Sequence, residues 1–151
     1  MTLRLQGRVH LPAEPDRVWG ILTDWEGQAA WMPDVASIRV IGPERGLGAE
    51  LAVLTRVFGI PIATDRVRVT GWDPPRSIRV DHEGLVMGTG EWRLDPAAGG
   101  GTRFTWAEEL RMPPPILGGV ALWLYGPWQR WMLHRSLRNL AKVVEAATRG
   151  P

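Results

Sequence analysis

Cysteine is missing from this chain of 151 residues. Its absence excludes disulfides, thiolate metal sites, iron–sulfur clusters and a cysteine nucleophile together. An excess of one charge is missing too: eighteen Lys and Arg against sixteen Asp and Glu leave a net charge of +2. Nucleic-acid binding rests on a concentrated basic patch, and this balance supplies little of one, so no nucleic-acid partner is expected. Histidine is scarce, and His10, His82 and His134 stand at no metal-ligand spacing; no metal and no cofactor are expected. Long hydrophobic runs are also lacking. Ile116–Trp128 carries no charge, but it is interrupted by Gly118, Gly119, Gly126 and Pro127 and is too short to span a bilayer, reading instead as a buried or interfacial segment. Met1 to Leu11 alternates polar and apolar residues and does not read as a signal peptide. The expectation is a cytoplasmic protein.

What is present fits one folded unit, residues 1–151, of a size able to bury a substantial core. A hydrophobic share of 44% with 23% charged residues argues against disorder. Nine Trp beside one Tyr and two Phe point to a cavity or interface built from large flat side chains.

Periodicity sets the order of elements. Leu3, Leu5, Val9 and Leu11 alternate with Arg4, Gln6, Arg8 and His10, which predicts a strand with one wet face. Pro15 suits the first turn of a helix whose apolar stripe is Val18, Trp19 and Leu22. A second short helix, about 25–31, stops before Pro33. Six strands are then predicted over 35–41, 49–58, 62–72, 77–83, 88–95 and 102–111, separated by turns such as Gly42-Pro43, Asp73-Pro74-Pro75 and 98–101. After Pro113-Pro114-Pro115 the period changes. Leu133, Leu137, Leu140 and Val144 recur at helical spacing and predict a long amphipathic C-terminal helix. A seven-stranded antiparallel sheet needs a cover on its second face, and only that helix is long enough. The fold class is α+β.

This order, with the stretches LPAEPDRVWGILTDWEGQAAWMPDV (11–35), GTGEWRLDP (88–96) and GGTRFTW (100–106), resembles the START-like (SRPBCC) superfamily of helix-grip folds, its polyketide cyclase/dehydrase branch above all. The resemblance implies a curved sheet gripping the long helix around an apolar cavity for a lipid, polyketide or isoprenoid-like molecule. It does not imply a single activity, because fold alone does not assign function.

Strand alternation nominates the side chains inside. Phe104, Trp106, Glu108 and Leu110 share one face of the last strand, so Glu108 is a carboxylate on an otherwise apolar face. Pairing Trp92 with Trp106 places Glu108 opposite Gly90, where no side chain fills the space. His82 shares a face with Ile78 and Val80, Asp65 with Val67 and Val69, and the turn at 73–76 sets His82 opposite Val67. His82, Glu108 and Asp65 are therefore the catalytic candidates: they orient a ligand, act as acid and base, or simply sit solvated at the cavity mouth. Expected cavity walls are Val67, Val80, Trp92, Phe104, Trp106, Leu133 and Leu137, with His82 and Glu108 as polar anchors. Trp25, Trp31 and Met32 lie where the resembling family closes one end of its pocket. Tyr125 is a rim donor or packing.

On the terminal helix Arg130, Arg135, Arg138, Lys142 and Arg149 oppose the Leu/Val stripe, with Trp128 and Trp131 beside them. That mix suits either plain solvation or transient contact with an anionic membrane surface; a homodimer through 123–131 is a further reading. The leading expectation is an intracellular carrier of one hydrophobic small molecule, preferred because no acid–base pair stands close along the chain. The alternative, which the resemblance implies, is a polyketide cyclase or aromatase-type enzyme.

Overall fold

The structure, a computed structural model, describes residues 2–113 and 115–149. Strand β1 (Leu3–Leu11) leads into helix α1 (Pro15–Leu22) and a single turn of 3-10 helix (Glu26–Ala30). Six strands follow: β2 (Val35–Ile41), β3 (Glu50–Val57), β4 (Ile60–Asp73), β5 (Ser77–Glu83), β6 (Met87–Pro96) and β7 (Thr102–Arg111). Helix α2 (Pro115–Arg149) closes the chain. The seven strands form one antiparallel sheet in the order β1-β7-β6-β5-β4-β3-β2, a meander whose last strand returns to pair with the first. This is the α+β helix-grip architecture expected from the sequence.

Each element has a local cause. Pro15 occupies the first turn of α1, where its missing N–H costs no bond, and Val18 and Leu22 are buried on the helix's inner face. β1 alternates buried Leu3, Leu5 and Gly7 with exposed Arg4, Gln6 and Arg8. Irregularities between Val35 and Ser37, Thr55 and Arg56, and Val69 and Gly71 interrupt the ladders of β2, β3 and β4; such bulges bend and twist strands.

The α2 stripe of Leu133, Leu137, Leu140 and Val144 is buried, along with Leu122 and Met132. The helix packs chiefly on β1. Gly7 permits that approach, because a Cβ there would lie 2.6 Å from Leu137 Cδ1. Burial of four large aliphatic side chains along one helix supplies roughly 1.5–3 kcal/mol each, the main force holding α2 down. No helix among the described residues is long and apolar enough to cross a membrane.

Candidate functional site

Sheet and helix do not fill the space between them. A cavity of about 250 Å³ remains, walled on the sheet side by Ile38, Leu51, Val67, Ile78 and Val80. Trp25 and Met32, from the 3-10 turn and its exit, line it from another side; Tyr125 and Gln129 reach it from α2. Ile62 and Leu85 both line the cavity and remain exposed, so they mark its mouth.

A bonded polar cluster stands in this apolar wall. His82 Nε2 lies 2.9 Å from Glu108 Oε2, and the Trp106 indole N–H donates to Glu108 Oε1 at 2.6 Å. Both carboxylate oxygens are thus engaged, and the Glu108 side chain is only 8% exposed against 23% for His82. β5 and β7 are not neighbours; β6 runs between them, pairing Gly90 with Val80 on one side and Glu108 on the other. A Cβ at Gly90 would lie 3.1–3.2 Å from both Glu108 oxygens and from His82 Nε2. Glycine leaves the gap in which the two side chains meet. Burial pulls the His82 pKa down, but the Glu108 charge and hydrogen bond outweigh it, so the imidazole ends above its usual value. When it carries a single proton, the tautomer that donates to Glu108 holds it on Nε2 and leaves Nδ1 as a free lone pair. A paired imidazole and carboxylate can anchor a polar ligand group or hold and release a proton.

A second polar group was not among the sequence candidates. Asp34, just ahead of β2, lines the cavity. Burial pushes its carboxyl up to about 6, against the opposing pull of its own backbone N–H; the Glu108 charge adds to the rise and Gln129 opposes it. The Tyr125 hydroxyl donates to Gln129 Oε1 at 2.8 Å, and burial drives its pKa upward. The only sequence signal for Asp34 was a carboxylate following the apolar W-M-P stretch at the start of a strand. Asp65, half-buried, also lines the cavity and accepts the Leu85 backbone N–H at 2.9 Å, tying down the β5–β6 turn.

Of the expected walls and anchors, Val67, Val80, His82, Trp92, Trp106 and Glu108 do line the cavity. Phe104, Leu133 and Leu137 do not. Phe104 is fully buried with its ring 5.8 Å from that of Trp92, and Leu133 and Leu137 are 2% exposed in the α2 core. The helix sits over β1 there, so its stripe is used for packing. Trp31 lies behind the wall, with ring centroids 5.8 Å from Trp92 and 6.1 Å from Trp106. Trp128 stacks near Tyr125 and Phe58, while Trp131 lies under Arg135 at 5.3 Å. The close acid–base pair that the linear sequence did not reveal is His82–Glu108.

The same architecture is found among solved structures. The chain superposes on TTHA0849 from Thermus thermophilus with a TM-score of 0.78 at 24% identity, over 95% of this chain and 98% of that one. The Zhui aromatase/cyclase from Streptomyces sp. R1128 gives 0.77 at 22% identity, over 99% and 98%. A START superfamily protein from Mycobacterium smegmatis gives 0.72 at 14% identity, over 96% and 99%. At such identities the likeness is one of fold. No curated protein matches the chain. Residues 2–145 match the family model described as polyketide cyclase / dehydrase and lipid transport, and the chain belongs to that family.

Proposed function

We propose that this chain is a single-domain cytoplasmic carrier that holds one hydrophobic small molecule in the cavity between sheet and helix, with the molecule's polar end against His82 and Glu108. The cavity carries the reading: about 250 Å³ bounded mostly by Val, Ile, Leu, Met and Trp side chains, with a bonded polar cluster at one place in its wall. Apolar burial drives uptake at about 25 cal/mol per Å², and the polar cluster sets orientation. Val67, Val80, Trp92 and Trp106 are the proposed contacts. Native mass spectrometry of protein purified from its own host tests the reading. A stoichiometric, co-purifying apolar molecule that Val80→Phe expels supports it; an empty protein whose Trp fluorescence responds to no apolar probe overturns it.

A second reading is favoured by one observation, the 2.9 Å contact of His82 with Glu108. It is an enzyme of the cyclase or dehydrase type acting on a polyketide-like substrate, with His82 accepting a proton from carbon next to a carbonyl and Glu108 holding the imidazolium. Glu108→Gln or His82→Gln would then abolish turnover while sparing ligand affinity.

Loading from a membrane fits the carrier reading. Phe58, Ile60 and Ile62 on the β3–β4 hairpin, Leu85, and Leu117, Val120, Trp123 and Leu124 on α2 are exposed apolar residues. Exposed Arg130 and Arg135 on the same helix complement anionic headgroups. Co-sedimentation with phosphatidylserine vesicles at low salt, lost in Trp123→Ala/Leu124→Ala, is the expected result. Absence of binding ends the idea, and a salt-independent dimer on gel filtration would favour a second copy of the chain instead.

A further inference from the structure

Polar groups facing the cavity are unequal in kind. Asp34, Asp65 and Glu108 bring three carboxylates to the lining, and among the described lining residues there is no Lys or Arg. Arg56, whose backbone N–H meets the Asp34 carbonyl, turns its guanidinium onto the carbonyls of Pro33 and Val35. Among the described lining residues the one ionisable base is His82, already paired with Glu108.

Most side-chain donors in the wall are engaged as well, the Trp92 indole N–H and the Thr55 hydroxyl alone having no hydrogen bond among the described residues. The Trp106 indole N–H is held by Glu108 and the Trp25 indole N–H by the Arg45 carbonyl. The Tyr125 hydroxyl donates to Gln129, and the Gln28 amide donates to the Leu22 carbonyl. Acceptors keep spare capacity, because a carboxylate offers about four lone-pair sites: Glu108 receives two side-chain donors and Asp65 one backbone N–H. Asp34 adds a third carboxylate, near enough to feel the Glu108 charge. A neutral ligand acceptor would find only those two donors free, and a ligand anion would enter a low-dielectric space against like charges.

Resting on the carrier reading, we infer that the ligand's polar end is a hydrogen-bond donor without negative charge, a hydroxyl, phenol or amine, and that the cavity rejects carboxylates such as free fatty acids. Hydrophobicity alone would not make this distinction. The three carboxylates act as a selectivity filter inside an apolar wall.

The test uses one chain length with three heads: 1-decanol, decylamine and decanoate, titrated into the full-length protein at pH 7.5 and read by fluorescence of the wall Trp residues. Decanol, decylamine or both should bind at least about tenfold more tightly than decanoate. Asp34→Asn and Glu108→Gln should each narrow that gap by admitting decanoate. Decanoate binding as tightly as the others overturns the inference while leaving the carrier reading in place. A gap unchanged in both variants likewise overturns it. Silence toward all three probes removes the carrier reading and the inference together.

Discussion

His82 and Glu108 touch across a strand that belongs to neither of them. Their side chains meet at 2.9 Å above β6, where Gly90 contributes no atoms to block them. The pair exists because Gly90 lies directly opposite Glu108 and diagonal to His82, whose own partner on β6 is a second glycine, Gly88.

Gly90→Ala is therefore expected to separate the pair while leaving the fold intact. The added methyl would lie 3.1–3.2 Å from the atoms that now meet, and β6 can carry alanine in its ladder. The His82 titration, followed by NMR of its imidazole protons, should move toward or below the ordinary value of about 6.5. An unchanged titration would show that the carboxylate is not what raises it.

Glu108→Gln should lower the His82 pKa further, since burial is then opposed only by the lesser pulls of the Asp65 and Asp81 charges. A folded-state pKa raised above the unfolded one contributes stability that is complete below about 6.5 and is lost as pH rises through the folded value. Urea melts from pH 5.5 to 8.5 should show this decline in the wild type and not in the variant.

Asp34→Asn is expected to stabilise the protein at neutral pH. The Asp34 carboxyl rises from 3.8 to about 6 on folding, so the wild type loses stability as pH climbs through that window. The loss is on the order of 1–3 kcal/mol once partial solvation is allowed for. The asparagine variant should lack that slope, and a flat wild-type profile between pH 4 and 7 would contradict the assignment.

Leu137→Ala and Val80→Phe should behave oppositely. Leu137 packs against β1 and is 2% exposed, so truncation should cost about 2–5 kcal/mol and leave probe binding unchanged after correction for folding. Val80 lines the cavity; enlarging it should fill free volume, cost under about 3 kcal/mol and weaken probe binding at least tenfold.

Much of the sheet was legible in advance. Alternation and turn residues placed β2, β5 and β7 to the residue, the pairing of Val67 with His82 followed from counting back from the turn at 73–76, and supposing Trp92 opposite Trp106 put Gly90 opposite Glu108, as the structure has it. The helix stripe was legible too, though its destination was not. Leu133 and Leu137 were expected over the cavity and lie on β1 instead, because a helical period says which residues are buried and not which strand receives them.

The linear chain by itself determined the order of elements, the register of the hairpin at 73–76 and the inward face, since each depends on local periodicity and short turns. Only the tertiary structure decided that a hollow survives beside the helix, that His82 reaches Glu108 over Gly90, and that Asp34 joins them from the far side of the sheet. Those outcomes depend on how a curved sheet brings residues tens of positions apart into one small volume, and no local pattern encodes that distance.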